Sequence, residues 1–230
     1  MKSINRRRGM MLFCLFAAVF LILSSAFGIA SADENTSETE KNVVSFTDRI
    51  ADLEEEGIIP KTSGNFISLG DYEDTLAQLG YVRKIPLTEA ENFAASVKLT
   101  WESASKTPDT QTAGCGVIFN SADGAADHIM VSVRMDGAVH VSGNRYYSKL
   151  SYGKFYYGLP SIEGSADLLM VYRNNTVHVY LNGEYITSVP GIPYIGNQVG
   201  LGILSGTYQD FGTRCKFEDI RLYIWQESEE

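Results

Sequence analysis

From Phe93 to Trp101 apolar and polar positions alternate: Phe93, Ala95, Val97, Leu99 and Trp101 on one side, Ala94, Ser96, Lys98 and Thr100 on the other. Successive side chains leave a strand on opposite faces, so this period of two predicts a β-strand with one buried face. Similar short runs predict strands over 116–119, 128–135, 139–142, 167–173, 176–181, 184–189, 198–204 and 215–225. The pairs Asp136-Gly137, Asn174-Asn175 and Asn182-Gly183 supply turns between them. No long amphipathic helix interrupts this stretch, and many short strands joined by tight turns make an all-β, two-sheet antiparallel sandwich of jelly-roll type.

Ahead of the strands the period is helical. Residues 43–57 predict one helix, capped by Ser45 with Asp48 three residues on, with Phe46, Ile50 and Leu53 on one face and Gly57 and Pro60 as the stop. A short extended piece at 66–69 and a helical turn at 74–79 are expected to follow.

Register also follows from the pattern. A three-residue loop, Asp136 to Ala138, pairs Met135 with Val139 and Val133 with Val141, and sets Arg134 opposite His140 on a polar face shared with His128, Met130, Ser132 and Ser142. Two-residue turns at Asn174-Asn175 and Asn182-Gly183 align Met170, Val179 and Ile186 on one face and Leu169, Tyr180 and Tyr185 on the other. A ribbon apolar on both sides needs cover on both sides. Adjacent Glu218 and Asp219 break the alternation between Phe217 and Ile220, which predicts a bulge.

The run Val177-His-Val-Tyr-Leu-Asn-Gly-Glu184, the Phe93 to Trp101 strand and the closing Phe217-Glu-Asp-Ile-Arg-Leu222 strand resemble elements of the concanavalin A-like lectin and glucanase superfamily. The segments Gly114-Cys-Gly-Val-Ile-Phe119 and Ser205 to Cys215 further resemble exported bacterial members with no assigned activity. The resemblance implies a jelly roll with a concave face that often holds sugar. It implies no particular ligand. The domain reading is therefore a signal peptide at 1–32, an acidic linker and short helix at 33–61, and the jelly roll at 62–230.

Charge and cysteine use bear on compartment and partners. Residues 1–32 hold four basic residues and no acid, so the rest carry 15 basic and 28 acidic groups, net −13. That balance repels phosphate backbones and argues against nucleic acid. Arg6-Arg7-Arg8, an apolar run and Ala30-Ser31-Ala32 read as a secretory signal cut before Asp33; left uncut, the same segment would be the protein's one route to membrane association. Either way the body is expected outside the cell or on its surface. Export leaves Cys115 and Cys215, which an oxidising compartment can join as one disulfide; two buried thiols are the alternative.

The candidate chemistry is that of a binding domain. Retaining glucanases of the superfamily carry E-x-D-x-E or E-x-D-x-x-E on one strand to aim two carboxylates at one bond, and no such run occurs here. No G-x-S-x-G elbow occurs either, so no catalytic residue is assigned. The stretch from Arg145 to Tyr157 packs six aromatics and three cations into an acidic protein. Tyr146, Tyr147, Tyr152 and Tyr156 are therefore candidate ligand contacts, with Arg134 and His140 from the polar sheet face. No metal site is assigned. Calcium is the one cofactor the composition allows, through the loop with Asn120, Asp123 and Asp127. Asn174-Asn175-Thr176 fits an N-glycosylation triplet on a tight turn. The leading expectation is a secreted or cell-surface, non-catalytic domain for carbohydrate or an envelope component; a glycan hydrolase of the same fold and a structural protein-interaction module are the alternatives.

Overall fold

A computed structural model describes residues 45–80, 82–122, 127–145 and 148–226. The predicted signal peptide and acidic linker lie outside them. The described residues form α1 (Phe46–Glu55), β1 (Gly64–Ser68), β2 (Tyr72–Leu76), β3 (Val82–Glu89), β4 (Asn92–Ser103), β5 (Gly114–Ser121), β6 (His128–Arg134), β7 (Ala138–Arg145), β8 (Ser148–Tyr156), β9 (Glu163–Arg173), β10 (Thr176–Leu181), β11 (Glu184–Val189), β12 (Gln198–Leu204) and β13 (Thr213–Trp225). Two antiparallel sheets result. Sheet A runs β1-β13-β4-β9-β10-β11, with β2 also paired to β13, and sheet B runs β3-β12-β5-β6-β7-β8.

The period of two explains the core. Phe93, Val97, Leu99, Leu168, Met170, Val179 and Phe217 point inward from sheet A and meet Val117, Phe119, Ile129, Val131, Val141 and Leu201 of sheet B. Cys115 of β5 and Cys215 of β13 are disulfide-bonded across that core, their Cα atoms 6.0 Å apart and both side chains fully buried. The bond closes a loop of 100 residues, worth about 4 to 5 kcal/mol in the chain-entropy account.

α1 supplies a third layer. Ser45 caps it, accepting from the Asp48 amide at 3.1 Å, and Gly57 at φ +75 ends it. Phe46, Ile50 and Leu53, with Ile59 beyond the helix, pack on Ala94, Val171, Tyr180, Tyr223 and Trp225 of sheet A's outer face. This answers the two-sided apolar ribbon of β9 and β10: one side faces the core, the other faces the helix.

Several expectations are corrected. The segment expected as a helical turn at 74–79 is instead strand β2 with a turn after it, because its backbone pairs with β13 from Leu76↔Thr213 to Tyr72↔Phe217. β3 and the length of β8 were not anticipated. In the β6–β7 hairpin the pairs are Val133↔Val139 and Ser132↔His140, so the three-residue loop is Met135 to Gly137. Such loops place a left-handed residue last, and Gly137 at φ +76 takes that position where Ala138 would be strained. The shift of two residues keeps every side chain on its predicted face and changes only its partner. The β9–β10 pairing is as expected, with Met170↔Val179 and Leu169↔Tyr180. Between β10 and β11 a bulge between Val179 and Tyr180 sets Val179 opposite Thr187 rather than Ile186, and Val177 opposite Val189. The bulge at Glu218-Asp219 is present, with Asp219 at φ +50.

Candidate functional site

The two outer faces of the sandwich are not equivalent. Sheet A's is apolar where α1 lies on Ala94, Val171, Tyr180, Tyr223 and Trp225; sheet B's is largely polar. Cross-strand register lays Lys84, Gly202, Gly116, Ser132, His140 and Lys154 in one row across sheet B. A neighbouring row brings Met130 beside Ser142 and Ser151, and the next brings His128 beside Asn144 and Lys149. The glycines of the first row have no room for a side chain: a Cβ on Gly116 would stand 2.0 Å from the Val131 carbonyl oxygen.

Asp136, in the β6–β7 turn, organises one end of this face. Its buried carboxylate accepts from Lys154 Nζ at 2.8 Å and lies 3.0 Å from His140 Nε2, while its other oxygen accepts from the Ala138 amide at 3.2 Å. Burial alone would raise its pKa; the hydrogen bonds from Lys154 and His140 outweigh it and hold the carboxyl below its ordinary value. A carboxylate held ionised in this way is a hydrogen-bond acceptor. His140 moves down from its ordinary pKa, first because it is buried and then because Arg134 is near, against the pull of Asp136. Lys154 is raised by its bond to Asp136. Its ammonium also sits 4.6 Å from the centre of the Tyr156 ring, a cation–π contact.

Arg134 lies along the same face. Its Nε donates to Ser132 Oγ at 3.0 Å, one terminal nitrogen to Ser142 Oγ at 2.8 Å and the other to the Gln111 carbonyl. The predicted pair Arg134 and His140 thus share a face as expected, although Ser132, not Arg134, stands opposite His140.

The tyrosines divide. Tyr156 is 70% exposed on the polar face, on edge strand β8. Tyr152 packs against the sandwich core, and burial raises its hydroxyl pKa, so it does not join that face. Tyr146 and Tyr147 lie outside the described residues. Asp136 is the residue of this cluster that sequence reasoning passed over: as half of a turn pair it was already accounted for, and only the Arg134-Met135-Asp136 and His140 spacing pointed to a charged cluster. Of the calcium candidates, Asp123 lies outside the described residues, and Asn120 is committed elsewhere: its side-chain oxygen accepts from the Ile195 and Gly196 amides. No group of three or more metal-ligating side chains occurs among the described residues.

A concavity of about 540 Å³ lies beside α1 on the opposite sheet, lined by Arg49, His178, Tyr180 and Tyr185 among others. Arg49 stacks 4.7 Å above the Tyr180 ring, and Tyr185 is 57% exposed. No helix among the described residues is long and apolar enough to cross a membrane.

No family model and no curated protein matches the chain. Among solved structures it is similar to the carbohydrate-binding module CBM66 from Bacillus subtilis, with a TM-score of 0.52 and 10% identity over 68% of this chain and 94% of that one. It is similar at the same TM-score of 0.52 and 13% identity to CB05 from A. japonicus, over 72% of this chain and 27% of that one. The chain thus spans about a quarter of CB05. These likenesses are of fold, and they agree with the two-sheet jelly roll expected from the sequence.

Proposed function

We propose that the protein is an exported, non-catalytic binding domain that takes carbohydrate, or a glycan component of the cell envelope, on the outer face of sheet B. One observation carries the reading: hydrogen-bonding side chains held in fixed positions, Asp136, His140, Lys154 and Arg134, share a sheet face with the largely exposed Tyr156, and no helix among the described residues covers that face. Sugars present hydroxyls in a plane and C–H groups on their faces, so a binding surface combines fixed donors and acceptors with an aromatic platform. The structural neighbour from Bacillus subtilis is by name a carbohydrate-binding module, which supports the same reading. A disulfide buried in the core fits an oxidising compartment, and export is part of the proposal.

A glycan array with the purified protein tests it. Retention of a defined set of glycans is expected, and Tyr156→Ala should weaken it by about tenfold, the worth of one aromatic stacking contact. Because Tyr156 is largely exposed, the variant's melting temperature should stay at the wild-type value. Retention unchanged in this variant removes sheet B's outer face from the site, and release of sugar from any retained polymer would replace the non-catalytic reading with a hydrolase.

A further inference from the structure

We propose that the ligand of this face is an anionic glycan, a polysaccharide bearing carboxylate or sulfate groups, gripped by Arg134 with added attraction from the Lys149 ammonium. This rests on the carbohydrate reading above and narrows it. The chain carries net charge −9, yet residues 128–157 hold four basic side chains, Arg134, Arg145, Lys149 and Lys154, and one acidic one, Asp136. Composition averages this segregation away; the fold restores it. Register sets Lys149 and Lys154 on the same outer face as Arg134, across from Asn144 and His140.

Basic side chains outnumber acidic ones in this segment, although Asp136 and Asp109 both attract Arg134. Asp136 is occupied by Lys154 and His140. Arg134 is held by three oxygens, two hydroxyl and one carbonyl, none of them charged, and it enters no ion pair among the described residues. A guanidinium has five N–H groups in a rigid fork, so three are committed and two remain, one on each terminal nitrogen. Donors on a charge already fixed in place suit an oxyanion, with little ordering cost on binding. A neutral sugar laid over the same site would bring no charge of its own to the guanidinium, which Asp136 and Asp109 attract only from beyond ion-pair distance. Lys149 is exposed and adds attraction to a chain running along β8.

The full-length protein is tested for retention by immobilised polygalacturonate, dextran sulfate and neutral dextran at about 0.1 M and about 1 M salt, between which the screening length falls from about 10 to about 3 Å. Expected is retention by polygalacturonate, dextran sulfate or both at the lower salt, release at the higher, and passage through dextran. Which polymer holds best tells carboxylate from sulfate. Arg134→Gln should weaken retention by tenfold or more, as about 1.5 to 3 kcal/mol per charged hydrogen bond implies. Lys149→Glu, at an exposed position, should weaken it with no change in melting temperature. Neutral dextran held as well as the anionic polymers and insensitive to salt overturns this inference and leaves the carbohydrate reading standing. No retention by any polymer, together with a blank glycan array, overturns both. Polyuridylate held in preference to either anionic polysaccharide assigns the cations to nucleic acid and also overturns it.

Discussion

Replacing Asn120 tests whether one buried carboxamide holds the long irregular segment before β12. Asn120 is 1% exposed and sits at φ +50 at the end of β5. Its amide donates to Tyr172 Oη at 3.2 Å and to the Pro193 carbonyl, and its oxygen accepts from the amides of Ile195 at 2.5 Å and Gly196 at 3.2 Å. The segment from Pro190 to Asn197 has no strand of its own, so Asn120 satisfies backbone groups that a ladder would otherwise satisfy. Asn120→Ala strips partners from three backbone groups at about 1 kcal/mol each and adds about 1 kcal/mol for alanine in the left-handed region, so about 4 kcal/mol in all. Asn120→Gly loses the same hydrogen bonds without the backbone strain and should fall about 1 kcal/mol short of that. Urea unfolding at neutral pH measures both, with the slope of stability against urea expected to stay at the wild-type value. Should both variants unfold within about 0.5 kcal/mol of wild type, as ordinary surface substitutions do, the carboxamide is not the latch described.

Other outcomes follow from the same structure. Leu53 is fully buried under α1, and Leu53→Ala should cost about 2 to 5 kcal/mol and shift the emission of Trp225, which lies 3% exposed beneath the helix. A cost under about 1 kcal/mol would mean that α1 is not fastened to sheet A. His140 and His178 both titrate below their ordinary 6.5, each chiefly through burial, so in acid the unfolded chain binds protons that the folded chain resists. Their contribution is present above 6.5 and is lost as pH falls through the folded values. Asp136, held below 3.8, adds a further loss as pH falls through its own folded value. The melting temperature should drop from about pH 7.5 to about pH 5.5, and drop less with both His140 and His178 changed to Gln; equal drops would place the proton-linked loss elsewhere.

What the residues revealed in advance was whatever a local rule governs. The alternation from Phe93 to Trp101, the Asn182-Gly183 turn and the Ser45 cap each depend on neighbours a few positions away. β2 lies partly in the stretch expected as a helical turn because Leu76 and Leu79 are three apart, a helical spacing, while its strand character comes from β13, more than a hundred residues on. β3 was missed because Pro86 interrupts its pattern; the proline is tolerated because β3 is an edge strand and one side of it has no ladder to break. The polar face was legible in parity but not in pairing. Arg134 and His140 could be placed on one side from the period alone. The grip of Lys154 on Asp136 needed two hairpin registers at once, and the first of them was off by two.

The bond between Cys115 and Cys215 gives the molecule a chemical memory. Its sulfurs arrive from different sheets and neither meets solvent, whereas exchange requires a thiolate to reach a sulfur directly. Reductants in the medium can therefore act on the pair only in molecules whose layers have parted. Once folding has sealed it, its oxidation state records the surroundings in which the chain closed, and a later change of surroundings leaves that record intact for as long as the sandwich stays shut.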